Sequence, residues 1–287
     1  MTTLPPMVKR PHEAPPAPRA TNGKAALSQE QPKDFRIQGG RIGGPQRILI
    51  YGPGGIGKSS LAALAPKPVF LDIEEGTRFM DVPRVTGLAT LADVRACLHS
   101  DLLNGHQTVV IDSATKAEEW AVAHTIATVK HEKGHWVSSL EGYGFGKGYQ
   151  HVYETFLLFL SDLDAQIRAG RNVILIAHDC VADVPNPVGE DWIRYEPHLQ
   201  SPKSGKSSIR NRVIQWADYV LFLGYDVVTE DGKGKGGGTR TIFTGERPDH
   251  IAKSRTAIES VPFESATDGA IWQQIMAEPA TLKGGIS

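Results

Sequence analysis

Cysteine is scarce in this sequence: of 287 residues only Cys97 and Cys180 carry a thiol. Two thiols cannot build a disulfide framework, which excludes the small stapled secreted scaffolds and fits a reducing compartment. Net charge is nearly absent, at −1 from 31 basic and 32 acidic side chains. That balance excludes a protein that coats nucleic acid with uniform positive charge. Long apolar runs are also missing, with none near the ~18 residues that a membrane-spanning helix needs. The N-terminus lacks the apolar centre of a secretory signal. These absences together predict a cytoplasmic protein with no membrane partner. What remains, 40% hydrophobic and 22% charged, is the composition of a globular chain long enough for one large core.

Residues 1–35 stand apart. They hold seven of the 19 prolines and no aromatic residue before Phe35. Such a segment cannot bury enough apolar surface to offset its ordering entropy, so it is expected to be a disordered tail ahead of one domain over 36–287. It carries five basic residues against three acidic ones, which leaves 26 basic and 29 acidic residues, a net of −3, for the rest. It reads either as a plain tether or as an arm that touches a partner.

From residue 46 strands alternate with helices. Apolar strands are expected at 47–51, 69–73, 108–112 and 172–177, with a short one at 84–86. Helices are expected over 58–65, from the Thr90/Asp93 capping box to about 104, over 115–131, and from the end of a glycine-rich loop to Ala169. Residues 179–212 read as irregular. Later strands are expected at 215–225 and 239–244, with the glycines of 232–238 as a hairpin tip. The fold class is therefore α/β, a mostly parallel sheet covered by helices on both faces, with an antiparallel C-terminal extension.

Gly52-Pro53-Gly54-Gly55-Ile56-Gly57-Lys58-Ser59 matches the phosphate-loop pattern G-x-x-x-x-G-K-[ST]. The glycines let the backbone turn its N–H groups toward a phosphate, and a following helix adds its positive end. Lys58 is placed for the β- and γ-phosphates of ATP and the Ser59 hydroxyl for Mg²⁺, and residues 52–59 together with Ser60 are the expected nucleotide-binding set. An apolar strand before and a helix after are the context that this motif requires. Asp112, ending an apolar strand, suits the same Mg²⁺; its alternative is to cap the next helix. The residue after it is Ser113 and not a glutamate. The water-orienting carboxylate is therefore sought in Glu74 or Glu75, just past the second strand, on the edge of the sheet where ligands bind.

These residues together resemble the RecA/RadA recombinase core, and most closely the short phage RecA-like ATPases that anneal single strands. The resemblance covers residues 45–265. It implies a RecA-like fold with Glu74, in Asp72-Ile73-Glu74, as the catalytic base and Asp112-Ser113 as the metal strand's end. It places His178 where that core carries a γ-phosphate sensor, and Lys253 and Arg255 where two cations reach the ATP of a neighbouring subunit. It implies a homo-oligomer, ring or filament, with ATP at the subunit interface, acting on single-stranded DNA in homologous recombination, with a single-strand-binding protein as a further partner. Phage origin would place the protein in a bacterial host's cytoplasm.

Two segments occupy the positions of that core's DNA loops. Residues 132–149 hold Trp136, Tyr143, Phe145 and Tyr149, four of the chain's 5 Trp, 7 Tyr and 9 Phe, with Lys147 among alternating glycines. Such aromatics stack on bases or dock into the core. Residues 197–217 contain Lys203, Lys206, Arg210 and Arg212 and no acid, a phosphate-tracking stretch or a solvated loop. The expected function is a Mg²⁺-dependent, DNA-stimulated ATPase that binds and anneals single strands. The alternatives are a motor or loader ATPase for a helicase or packaging machine, and an ATP-gated DNA-binding scaffold that does not depend on hydrolysis. His131 and His135, four apart, are weighed as metal ligands and set aside for want of a partner.

Overall fold

The computed structural model describes residues 37, 39, 42–203, 205–230, 233–265 and 267–276; side chains are described outside 227–237. The expected tail of residues 1–35 lies outside these residues.

The first strand, β1 (Arg47–Tyr51), runs into the phosphate loop and helix α1 (Lys58–Ala63). Then come β2 (Pro68–Asp72), the short β3 (Arg84–Val85), α2 (Leu91–Leu98), β4 (Thr108–Asp112), α3 (Ala114–Thr128), α4 (Lys147–Arg168) and β5 (Asn172–Ala177). Strands β6 (Asp179–Val184) and β7 (Trp192–Pro197), helix α5 (Ile209–Trp216), β8 (Tyr219–Glu230), β9 (Lys233–Phe243), β10 (Val261–Pro262) and α6 (Ala270–Ile275) complete the order.

Eight strands form one sheet in the order β10-β9-β8-β1-β5-β4-β2-β3. The pairings from β8 to β3 are parallel, and those of β9 with β8 and β10 are antiparallel. Alternation along the strands divides the core in two. Ile48, Ile50, Phe70, Ile174 and Leu221 meet α1 and α6 on one face. Leu49, Tyr51, Leu71, Ile111 and Leu175 meet α2, α3, α4 and α5 on the other. The sheet is thus covered on both faces and extended by antiparallel strands, as the apolar runs predict.

Three elements differ from expectation. Residues 179–197 form a two-stranded antiparallel hairpin, β6 on β7, and are not irregular. Its Val181 and Ile193 are exposed, so neither strand shows a clean buried alternation. Gln215 and Trp216 end α5, where a strand was expected to start; Ile209, Val213 and Trp216 are its buried stripe and Ser208 caps it. The glycines from 233 lie within β9, while Gly232 is outside the described residues. The Thr90/Asp93 capping box is present at the start of α2.

Candidate nucleotide site

The site stands at the carboxyl ends of β1, β5, β4 and β2. Gly52 leaves β1 with a Cβ position only 2.1 Å from the Leu223 carbonyl oxygen of β8, so a side chain there would collide with the neighbouring strand. Gly55 (φ +75°) and Gly57 (φ +111°) turn the loop through backbone shapes that other residues resist. No side chain caps α1. Lys58 folds its buried ammonium back on the loop, donating to the carbonyls of Gly52 (2.7 Å) and Pro53 (2.8 Å). Burial lowers its pKa, and the nearby Asp179, Asp112 and Glu74 carboxylates act against that shift.

Ser59 and Asp112, 53 residues apart in sequence, meet through a 2.6 Å hydrogen bond from the serine hydroxyl. Asp112 does not cap α3: Ser113 does, accepting from the Lys116 N–H at 3.1 Å. That leaves the Asp112 carboxylate facing the loop. Burial pushes its carboxyl up to about 6, against the pull of the Ser59 bond and with the nearby Glu74 and Asp72 charges adding to the rise. The Asp112–Ser113 peptide bond is cis.

Glu74 arrives from the end of β2 and is held by two partners. The Ser113 hydroxyl donates to one of its oxygens. The His178 Nε2 lies 3.2 Å from both. The Glu74 N–H donates to the Asp112 carbonyl at 3.2 Å, which ties the strand ends together. Asp72 shapes the turn beyond, accepting from the N–H groups of Gly76 (3.0 Å) and Thr77 (2.8 Å) and from the Thr77 hydroxyl. Of the two glutamates weighed, Glu74 is the one at the site, while Glu75 is exposed at φ +55°. His178, the single residue between β5 and β6, is anchored by its own N–H to the Thr115 hydroxyl at 3.1 Å.

These groups suit a nucleoside triphosphate with a hard divalent cation. Glycines of positive φ turn the loop, a cationic side chain lines it, and the Ser59/Asp112 pair offers only oxygen donors. The sequence matches the AAA domain family AAA_24 over residues 44–256. The chain belongs to that family. Its phosphate loop, residues 52–59, lies within the matched segment. The solved structures that match include two at low similarity. One is a KaiC-like protein from the hyperthermophilic archaeon Pyrococcus horikoshii OT3, 13% identical with a TM-score of 0.38, covering 78% of this chain and 88% of that one. The other is the flagellar accessory protein FlaH from Methanocaldococcus jannaschii, 13% identical with a TM-score of 0.35, covering 78% and 87%. No curated protein matches the sequence.

The remaining expected residues divide. Lys253 does not reach out toward a neighbour. Its ammonium donates to the carbonyls of Ile214 (3.0 Å), Gln215 (3.3 Å) and Ala217 (2.5 Å) at the C-terminal end of α5. Arg255 is 60% exposed and pairs with Asp218 at 2.9 Å. Asp218 precedes β8, which runs parallel to β1, so Arg255 stands at the opposite edge of the sheet from its own phosphate loop.

Tyr143 is a correction to the stacking set. It is 2% exposed, and its hydroxyl donates to the carbonyls of Val129 (2.6 Å) and Thr125 (3.2 Å) at the end of α3. Free helix carbonyls need such a donor, and the ring is buried in supplying it. Arg210 is a second correction: its side chain is 13% exposed, paired with Glu196 and donating to the Leu199 carbonyl. Phe145 is fully exposed, Trp136 is 56% exposed with the Lys130 ammonium 5.0 Å from its ring, and Lys147 pairs with Glu132. Lys203, Lys206 and Arg212 are exposed. His131 and His135 stack at 4.5 Å, and among the described residues no cluster of three metal-ligating side chains exists.

A cavity of about 670 Å³ lies between the two loops, walled by Leu140 and Tyr149 on one side and 198–203 on the other. Glu118 of α3 lines it, with both oxygens accepting from the Gln200 N–H at 3.0 and 2.9 Å. Burial pushes the Glu118 carboxyl up to about 7 despite that bond and the nearby Arg210 charge. Among the described residues no helix is long and apolar enough to cross a membrane.

Proposed function

We propose that the protein is a Mg²⁺-dependent ATPase that binds single-stranded DNA and promotes annealing or strand exchange as a homo-oligomer. The observation that carries the catalytic half is the convergence of Lys58, Ser59, Asp112 and Glu74 at adjoining strand ends. Ser59 and Asp112 would hold a divalent cation, which would supply neutralisation of charge on the transferring phosphate. The loop amides and Lys58 bind and orient the phosphates. Glu74, fixed by the Ser113 hydroxyl and the His178 imidazole, orients water and accepts its proton. Arg255 of another copy stabilises developing charge, as a finger does.

The DNA half is supported by exposed Phe145 and Trp136 on one loop and exposed Lys203, Lys206 and Arg212 on the other. Aromatic stacking with nearby cations suits unpaired bases on a tracked backbone. The test is a salt titration of single-strand binding with and without ATP. The expected result is binding at about 50 mM salt whose salt slope flattens when Lys203, Lys206 and Arg212 are replaced. Absence of binding at that salt overturns the DNA reading and leaves a motor or loader that contacts protein.

A further inference from the structure

We propose that Arg240 is a positioning residue of the phosphate loop, which it braces from behind while adding a positive charge. This rests on residues 52–60 being the nucleotide site. Arg240 belongs to β9, in the antiparallel extension, where it sits opposite Tyr225. Its Nη1 donates to the Ile56 carbonyl at 3.0 Å, and its Nη2 donates to the Glu264 carbonyl at 3.2 Å. The guanidinium lies 4.8 Å over the ring of Phe263, itself fully buried.

The contact falls at the loop's most constrained point. Ile56 lies between two glycines of positive φ, Gly55 and Gly57. Its side chain is buried against α1, and its carbonyl lies under the guanidinium, so the residue is held at both ends. A Cβ on Gly57 would lie 2.8 Å from Arg240 Nη1 and 2.9 Å from the Phe263 ring. Gly57 is thus required by this packing as well as by its backbone shape. The next residue is Lys58.

Charge gives the arrangement a second consequence. Both Arg240 donors go to neutral carbonyls, and among the described residues no carboxylate pairs with it. A guanidinium with no carboxylate partner among the described residues therefore stands against Ile56, two positions before Lys58. Two cations against one small loop repel each other until a polyanion lies beside them. Arg240 accordingly serves binding in two ways, by a bond that fixes the loop and by a field that favours phosphate. Lysine can supply only the second fully, and glutamine only the first.

The experiment is calorimetric titration of the full chain with Mg-ATP at low and at physiological salt, with melting curves recorded in parallel. Arg240→Ala is expected to weaken ATP binding by about 10- to 100-fold, the range for losing a charged hydrogen-bond donor. Arg240→Lys should restore the salt dependence of binding with part of the affinity. Arg240→Gln should restore part of the affinity without the salt dependence. Glutamine is also the variant to read if the alanine chain fails to fold. Wild-type affinity in Arg240→Ala, or equal loss in all three variants together with lowered melting temperatures, overturns the proposal. If the unaltered chain binds no ATP, the nucleotide site itself is overturned, which the first titration shows separately.

Discussion

Replacing Lys253 separates two roles that its position alone would allow. The resemblance to recombinase cores makes it a finger for a neighbour's ATP, whereas its three bonds to the end of α5 make it a cap. Helix α5 has eight residues and leaves its last carbonyls without partners in the helix. A positive charge at such an end contributes ~0.3–2 kcal/mol, and hydrogen bonds from a charged donor lie in the same range or above it. Lys253→Met keeps the stem and removes the donors, so the expected loss is about 2 kcal/mol, since the entropy of holding a long side chain offsets part of the gain. For a chain of this size that lowers the melting temperature by about 4–8 °C. The assay is a pair of measurements, a melting curve and steady-state hydrolysis below the melting range. The expected outcome is a lowered melting temperature with hydrolysis per folded chain unchanged. Arg255→Ala should give the reverse: an unchanged melting temperature, and hydrolysis lost at concentrations where the protein assembles. An unaltered melting curve with abolished hydrolysis in Lys253→Met would refute the cap.

Other outcomes follow from the same geometry. Glu74→Gln should abolish hydrolysis while ATP binding, followed by calorimetry, persists; hydrolysis at the original rate would remove Glu74 as the base. Phe145→Ala should weaken single-strand binding by ~1–3 kcal/mol, measured by fluorescence anisotropy. Tyr143→Phe should leave that binding intact and cost about 1 kcal/mol of stability for its lost cap. Glu118, whose carboxyl is raised from 4.5 to about 7, binds its proton more tightly in the folded chain than in the unfolded one. Its contribution to stability is therefore present below pH 4.5 and lost as pH rises through about 7, with an upper bound of roughly 3 kcal/mol. Glu118→Gln should flatten that part of the stability–pH curve, seen in denaturant titrations at pH 5 and pH 7.5.

Much of the sheet is legible in the sequence because its central strands are buried on both faces and read as unbroken apolar runs. The phosphate loop is legible because its backbone demands glycine at fixed places. The pairing of Ser59 with Asp112 could be anticipated from chemistry alone. Hairpin β6–β7 escaped notice because its exposed Val181 and Ile193 blur the alternation that marks a half-buried strand. Tyr143 shows that composition cannot tell which aromatic of a cluster docks: its burial depends on carbonyls 14 and 18 residues away. Arg210 misled for a local reason. A window opened at residue 197 excludes Glu196, the acid that neutralises it. Arg240 carried no signal at all, since its partner carbonyl is 184 residues distant and any sequence would supply one.

The passage from β5 into β6 contains a single residue, His178. Most strands of such a sheet end in a loop long enough to absorb movement; this one does not. The backbone thus runs without a break from the β6–β7 hairpin to the imidazole that touches Glu74, so a displacement of the hairpin would be felt at that contact.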